Sequence, residues 1–144
     1  GERLDVPNSL LRSREGYREK EMNTWTTKHA DKRFSIYIRQ RDGKCRRCFR
    51  KDIPLDCSHY WRRGHSGTRY DPDNCVALCR NCHTAWEKQQ NMDYKNFMLE
   101  WLGQERYDLV ERRARTIKQR RDAVQECMML LVNNGVANEG DVVY

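Results

Sequence analysis

The sequence has no long apolar run. No stretch approaches the about 20 consecutive apolar residues that a membrane-spanning helix requires, so we expect no contact with a membrane core. The N-terminal region also lacks the apolar segment of a secretory signal peptide, and we therefore expect a soluble protein in the reducing cytoplasm. Internal repeats and low-complexity segments are absent as well. Apolar residues make up only 38% of the 144 positions, so the core must be small, and small cores often depend on a metal or on disulfides.

Positive charge exceeds negative charge along the chain. Twenty-eight Lys and Arg residues against 21 Asp and Glu residues give a net charge of +7. Basic side chains displace counterions from phosphates, so this balance is typical of proteins that bind nucleic acids. A soluble basic protein without a polyanionic partner is the alternative that charge alone leaves open.

Seven cysteines are present, and four of them form two CxxC pairs. The pairs are Cys45 with Cys48 and Cys79 with Cys82. In a reducing compartment two such pairs predict one tetrahedral structural zinc site rather than disulfides or a redox pair. The other cysteines have no partner at ligand spacing and are interpreted as small buried hydrophobic residues. These are Cys57, Cys75 and Cys127.

Hydrophobic periodicity divides the chain into four parts. The prediction is an N-terminal arm with a short helix over 1–27, a zinc-bound core over 28–103, a long basic helix over 104–135 and a tail over 136–144. Within the core, the pattern predicts a helix over about 28–41, a strand from about 53 to 60, a return strand over 76–78 and helices over about 79–90 and 94–102.

The long C-terminal helix is predicted to be continuous from about 104 to 132. Its middle, 112–121, is rich in arginine and can follow a second DNA arm or form a solvated face. Its end is apolar and predicts contact with another helix, either in this chain or in a partner. A homodimer through this helix is therefore an open alternative.

One Asn and two His residues have the chemistry that phosphodiester hydrolysis requires. Such a reaction needs a base for water, a divalent cation and a group that orients the base. His59 suits the base, because an imidazole can take a proton at neutral pH. Asn74 can accept the ring N–H of His59 and fix its tautomer, and His83 can bind the cation. Because zinc would tie the hairpin to the following helix, we expect His59 and His83 to face one another. Structural histidines are the alternative.

These residues and the four CxxC cysteines resemble those of the HNH (ββα-metal, treble-clef) endonucleases. Over roughly residues 30–110 the sequence is more closely similar to the NinG (Rap-like) family of phage recombination nucleases. The segments that carry this closer similarity are 34–42, 56–60, 63–65, 69–70, 73–74, Tyr94 and 102–103.

The resemblance implies a fold, an activity and cofactors. The fold is α+β, with a small zinc-stapled ββα-metal core flanked by N-terminal helices and a long C-terminal helix. The activity is Mg²⁺- or Mn²⁺-dependent hydrolysis of DNA, on branched recombination intermediates or by nicking duplex DNA. A phage-encoded enzyme would work in the host cytoplasm.

The sequence departs from the family pattern at two positions. Many HNH enzymes have a metal-binding Asp immediately before the base His, where this chain has Ser58. Asp56 is the nearest acid, and strand alternation puts Asp56 and Ser58 on the same face, so we predict that Asp56 joins His83 at the cation. An Asp56 that only pairs with a nearby Arg is the alternative. NinG-like chains often have Asn after the last zinc Cys, whereas His83 is the usual HNH residue.

The loop after the first predicted strand contains the candidate DNA contacts. Arg62, Arg63 and Arg69 surround the hairpin tip, and guanidinium groups bind phosphate oxygens in a bidentate manner. His65 is a further candidate for a phosphate contact or a metal ligand, and a solvated loop is the alternative. Two other functions stay open: a non-catalytic zinc-containing nucleic-acid-binding module, and a zinc-stapled protein-interaction adaptor that uses the apolar end of the last helix.

Overall fold

The computed structural model describes residues 25–88 and 92–135 and has an α+β fold. Within these residues there are five helices, a short 3₁₀ turn and a two-stranded sheet. In chain order they are α1 (Thr27–Asp42), β1 (Leu55–His59), the 3₁₀ turn (Pro72–Asn74), β2 (Cys75–Cys79), α2 (Arg80–Glu87), α3 (Met92–Leu102), α4 (Gln104–Ala114) and α5 (Arg120–Asn133). The arm predicted over 1–27, except for its last three residues, and the tail predicted over 136–144 lie outside the described residues. None of the described helices combines the length and the apolarity needed to cross a bilayer.

Helix α1 leads the chain into the first CxxC pair, and both of its ends are capped. Thr26 Oγ1 accepts a hydrogen bond from the backbone N–H of His29 at 3.0 Å. Gly43 adopts a left-handed conformation with φ of 67° and donates its N–H to the carbonyl of Arg39. The helix predicted over 28–41 is therefore confirmed to within one residue at each end.

The sheet is an antiparallel hairpin, and its second strand lies at the centre of the molecule. The register runs from the pair Leu55–Cys79 to the pair His59–Cys75. Every residue of β2 is buried. Val76 contributes to an apolar cluster with side chains of α2, α3 and α4, whereas Cys75 contributes to a second cluster with α1 and α5. The short strand β2 therefore joins two small cores.

The two edges of the sheet differ. On the outer edge of β2 the carboxylate of Asp42 accepts the backbone N–H of Ala77 at 2.8 Å, and the N–H of Arg46 donates to the Ala77 carbonyl at 2.9 Å. The outer edge of β1 pairs with no further strand in the described part of the chain. The unpaired edge of the hairpin therefore belongs to β1, the strand that carries His59.

The prediction of one continuous helix over 104–132 is wrong, because residues 115–119 form a break between α4 and α5. The loop after β1 packs into this break. Ser66 Oγ accepts the backbone N–H of Lys118 at 2.8 Å. A Cβ added to Gly67 would lie only 1.9 Å from the carbonyl oxygen of Arg113, so the two backbones are in direct contact.

The break turns α5 back onto α1. Four of the five buried side chains of α5 belong to the same apolar cluster as Phe34 and Ile38 of α1. They are Ala123, Val124, Cys127 and Leu131. The apolar C-terminal end of the predicted long helix, for which a helix of this chain or of a partner was expected as neighbour, therefore packs against α1 of the same chain.

Candidate functional site

The four CxxC cysteines converge between the turn that follows α1 and the start of α2. Their Sγ atoms all lie within 4.8 Å of one another, and the Cys48 and Cys79 sulfurs are 3.8 Å apart. Four thiolates on a zinc ion with bonds of about 2.3 Å have sulfurs about 3.8 Å apart. None of the four forms a disulfide, and only Cys48 is exposed. The cluster could hold a metal ion such as zinc.

Backbone groups around the cluster favour thiolates. The N–H of Cys48 points to the Cys45 sulfur, and the N–H of Cys82, at the start of α2, points to the Cys79 sulfur, both at 3.4 Å. Burial raises the pKa of the Cys45 thiol, but hydrogen bonds from backbone N–H groups, that of Cys48 first, outweigh it and bring the pKa to about 6. Burial and the three neighbouring thiols raise the pKa of Cys82 to about 12. Four thiolates this close need a cation, so the donor set fits zinc.

His59, the last residue of β1, is held in one tautomer. Its Nε2 lies 2.9 Å from the backbone carbonyl oxygen of Arg69. A carbonyl oxygen can only accept, so Nε2 carries the ring proton and Nδ1 keeps a lone pair. Burial lowers the pKa of His59 to about 4, so the ring is neutral at pH 7. Among residues 25–88 and 92–135 no hydrogen bond to Nδ1 is found.

The predicted hydrogen bond between Asn74 and the His59 ring is wrong. Asn74 is fully buried, and its side chain binds the loop after β1 instead. Its Oδ1 accepts the N–H of Trp61 at 2.8 Å, and its Nδ2 donates to the carbonyls of Trp61 at 2.9 Å and Thr68 at 3.1 Å. Asn74 therefore acts on His59 only indirectly, because it fixes the loop that leads to the Arg69 carbonyl.

The Arg69 side chain is bound inside the protein. Its Nε and Nη2 donate to the two carboxylate oxygens of Asp31, on α1, at 3.0 and 2.7 Å, and the Tyr70 hydroxyl donates to the same carboxylate at 2.9 Å. Burial raises the pKa of Asp31, but these hydrogen bonds outweigh it and the net pKa is below its usual value. The structure makes Arg69 an anchor for the carbonyl that orients His59, and the DNA contact predicted for its side chain stays a prediction. Sequence reasoning missed Asp31 in this role.

We predict that Asp31→Asn destabilises the protein by about 1–3 kcal/mol. The single oxygen of an amide cannot accept hydrogen bonds from both Nε and Nη2 of Arg69, so the guanidinium would lose its charged partner. Urea unfolding at pH 7 measures this loss. The control is Asp52→Asn, whose carboxylate is largely exposed and lies 3.8 Å from Arg50; there we expect a change within about 0.5 kcal/mol. Equal losses in the two variants would contradict the anchoring role.

Asp56 and His83 lie together, as the sequence predicted. His83 Nδ1 is 3.0 Å from Asp56 Oδ2, which also accepts from Arg80 Nε at 2.9 Å. Partial burial raises the pKa of Asp56, but hydrogen bonds from His83 and Arg80 outweigh it, and the net pKa is lowered. The separation of 3.0 Å is that of a hydrogen bond from the His83 ring N–H to the Asp56 carboxylate. A cation held by this pair stays a prediction. Ser58, buried and hydrogen-bonded to Tyr94 at 2.8 Å, is not directed toward such an ion.

A cleft of about 1330 Å³ follows the free edge of β1 between α1 and α2, and His59, Asp56 and His83 all line it. The two imidazoles do not face one another as predicted. Asp56 and His59 are three residues apart on the strand, so their side chains lie on opposite faces and meet only along the strand edge. His59 packs toward α1, with its ring centroid 5.9 Å from that of Phe34.

The cleft lining carries more positive than negative charge. Arg62 and Arg63 line it as predicted, whereas His65 is exposed, packs its ring against Trp61 and is not part of the described lining. The basic lining residues are Arg39, Arg62, Arg63, Arg80, Lys88 and Lys95, and the acidic ones are Asp31, Asp56 and Glu87. A polyanion therefore has a favourable electrostatic environment along the cleft. Sequence reasoning did not single out Lys88 or Lys95.

The depressed pKa of His59 predicts a pH dependence of stability. Between pH 6.5 and about 4 the unfolded chain binds a proton at this residue that the folded protein does not. The contribution of the neutral His59 ring to the free energy of unfolding is therefore fully present above pH 6.5 and is lost as the pH falls toward 4. Urea unfolding at pH 7 and pH 5 should show a larger loss in the wild type than in His59→Gln. Equal losses would show that the ring is not desolvated.

Comparisons with known proteins give no match: no family model, no curated protein and no solved structure resembles this chain closely enough to be counted. The cleft and the cysteine cluster therefore have to be interpreted from their own chemistry. Three features matter for that interpretation: a neutral imidazole of fixed tautomer at His59, the hydrogen-bonded pair of Asp56 and His83, and a basic lining.

Proposed function

We propose that this chain is a metal-dependent DNA endonuclease of the HNH type, similar to the NinG-like phage recombination nucleases. The observation that carries the proposal is the tautomer of His59. Its Nε2 donates to a backbone carbonyl, which leaves the lone pair on Nδ1, and the residue lines a cleft that also contains the Asp56–His83 pair. A base and a cation site that reach the same phosphate are what hydrolysis of a phosphodiester requires.

In this proposal His59 activates the attacking water. Nδ1 takes a proton from the water as the oxygen attacks phosphorus, and the carbonyl of Arg69 keeps the ring from turning. The imidazolium that forms is stabilised by its Nε2–H hydrogen bond to that carbonyl, with Asp31 anchoring the same segment. A phosphate that lies along the edge of β1 is within the same cleft as both functional groups.

Asp56 and His83 hold the catalytic cation. A Mg²⁺ or Mn²⁺ ion there supplies positive charge for the phosphate oxygens and the leaving oxygen. Asp56 would exchange its contacts with Arg80, whose side chain is mostly exposed, and with the His83 N–H for the cation. The His83 ring proton would move from Nδ1 to Nε2 through solvent, which frees the Nδ1 lone pair for the cation. Among the described residues, no third His, Cys, Asp or Glu is grouped with this pair, which leaves room for substrate and water ligands.

Zinc at the four cysteines has a structural role in this proposal. It would join the turn before β1 to the first turn of α2. Strand β1 carries Asp56, and α2 carries His83. All four positions of the ion are filled by sulfur, so none is open for substrate. We therefore infer a treble-clef arrangement in which the zinc site is closed by four sulfurs and the cation site is open to substrate.

The basic lining is proposed to bind the DNA backbone. Arg63 is more than half exposed, and its contact with Asp31 at 3.2 Å is a weak surface pair that phosphate can replace. Arg62 donates to the carbonyl of Glu87 at 3.0 Å and thereby stays at the rim. The lining does not distinguish duplex from branched DNA, so the preference for branched intermediates is part of the proposal and not of the geometry.

A cleavage assay with defined substrates tests the proposal. Zinc-loaded protein is incubated with a four-way junction, a flap and a linear duplex of the same sequence, each with Mg²⁺, with Mn²⁺ or with EDTA. We expect cleavage only with divalent cation and fastest on a branched substrate. If the protein cleaves all three substrates at equal rates, the nuclease activity is supported and the proposed preference for branched DNA is wrong.

The same assay separates the proposal from its rival. The basic cleft is equally compatible with a non-catalytic zinc module that binds nucleic acid. If the protein binds these DNAs with a strong salt dependence and cleaves none of them with either cation, the nuclease proposal is lost and the binding module is the better interpretation.

A further inference from the structure

Three potential metal ligands outside the four-cysteine cluster meet on the face of the hairpin that looks toward α1. The two Sγ atoms of Cys57 and Cys75 and one ring nitrogen of His59 lie within 4.8 Å of one another. Register explains the grouping, because His59 is directly opposite Cys75, and Cys57 is two residues before His59 on the same strand. Sequence spacing did not suggest this group, since Cys57 and Cys75 belong to no CxxC pair.

The donor set is that of a soft-metal site with an open position. Two thiolates and one imidazole are the protein ligands of catalytic zinc sites, which bind a solvent molecule as the fourth ligand. Tetrahedral zinc needs these donors about 3.4–3.8 Å apart, so a closure of about 1 Å suffices. Each thiol would release its proton to solvent as the metal–sulfur bond forms.

The site is accessible from the cleft. Cys57 and His59 line the cleft, and Cys75 lies behind them with no exposed surface. A cation that enters the cleft can therefore reach two of the ligands before the third. The burial of Cys75 in the apolar cluster between α1 and α5 fixes that ligand in place.

We propose that Cys57, His59 and Cys75 form a second metal site, selective for thiophilic ions such as Zn²⁺, and that its occupancy switches off the base. A neutral imidazole has a lone pair on only one nitrogen. Whichever nitrogen the metal takes, the other must then carry the proton, so His59 cannot accept one from water. The inhibitory part of this proposal depends on the proposed nuclease function, whereas the metal site itself does not.

Cobalt spectroscopy tests the site without reference to activity. Co²⁺ is added under a phosphine reductant to protein that carries one Zn²⁺ per chain. This Zn²⁺ stays in the four-cysteine cluster, because thiolate sites favour Zn²⁺ over Co²⁺. We expect one equivalent of Co²⁺ to produce thiolate-to-cobalt charge-transfer absorption. Cys57→Ser should lose most of this absorption, whereas the control Cys127→Ser, at a buried cysteine outside the group, should keep it. The Asp56–His83 pair contains no sulfur and cannot give this band.

Three results would overturn the second site. They are no charge-transfer band in the wild type, an equal band in Cys57→Ser, and a mass decrease of two hydrogens showing that Cys57 and Cys75 form a disulfide under reductant. The absence of a band, or an equal band in Cys57→Ser, would exclude a metal at Cys57, His59 and Cys75 even if the protein cleaves DNA normally. A failure of the second site can therefore be told apart from a failure of the nuclease proposal.

The inhibitory role has its own readout. With Mg²⁺ in excess, added Zn²⁺ should slow cleavage by the wild type at least about tenfold, and Cys57→Ser should be inhibited at least about tenfold less, each relative to its own rate without added Zn²⁺. Equal inhibition of both proteins would place the inhibitory ion at Asp56 and His83 and would refute this role. If neither protein cleaves DNA, the cobalt result still decides whether the site exists.

Discussion

Replacing His59 with Ala is expected to lower the single-turnover rate of DNA cleavage by about 10²–10⁴-fold, because a positioned general base contributes that much to proton transfer. The neutral ring, its fixed tautomer and its free Nδ1 all point to this residue as the base. DNA affinity, measured with EDTA in place of the catalytic cation, should change little, since His59 supplies no positive charge at pH 7.

His65→Ala is the matched control for this measurement. His65 is in the loop that follows His59, but it is exposed and lies outside the described cleft lining. We expect its cleavage rate to stay within about threefold of the wild type, which corresponds to less than 1 kcal/mol of transition-state stabilisation. A His59→Ala variant that cleaves as fast as His65→Ala would remove the imidazole from the mechanism.

Cys48→Ser is expected to unfold the protein or to lower its stability by several kcal/mol. The Cys48 side chain is exposed, so the change from sulfur to oxygen alone should cost no more than about 0.5 kcal/mol. A structural zinc ion contributes on the order of 10 kcal/mol to folding, which is comparable to the whole stability of a small domain. A large loss of stability in Cys48→Ser would therefore be due to the loss of a metal ligand and not to the loss of packing.

The measurement combines zinc content with unfolding followed by circular dichroism. Lys51→Ser, at a nearby exposed position, is the control and should keep one zinc per chain and the wild-type midpoint. Chelation of zinc from the wild type should reproduce the Cys48→Ser result. A Cys48→Ser protein with the stability of the control would mean that the cluster holds no structural metal.

Local sequence signals predicted the helices and strands of the core well. Thr26 and Gly43 bound α1 because a side-chain cap and a left-handed glycine act within one turn of the helix. The alternation that put Asp56 and Ser58 on one face also held, and it brought Asp56 to His83. Such signals depend on neighbours in the sequence, so they can be read without knowing the tertiary contacts.

Contacts between distant residues were not predictable in the same way. The break at 115–119 contains no Pro or Gly, and it depends on Ser66 and Gly67, about 50 residues earlier. The partner of the His59 ring is a backbone carbonyl, which any residue type can supply, so Asn74 was the only visible candidate. The anchoring of Arg69 by Asp31 joins residues 38 positions apart, and nothing in either neighbourhood indicates it.

The close approach of Gly67 to the backbone of Arg113 has a consequence for shortened versions of the chain. A fragment that stops at residue 114 would keep the cysteine cluster and every side chain of the cleft that is proposed to touch DNA or metal. It would lose Lys118, which holds Ser66, and the whole of α5, which covers the α1 face that carries Phe34. Such a fragment should therefore bind zinc yet hold the His59 ring loosely, and removing the last helix would impair a reaction to which that helix supplies no atom.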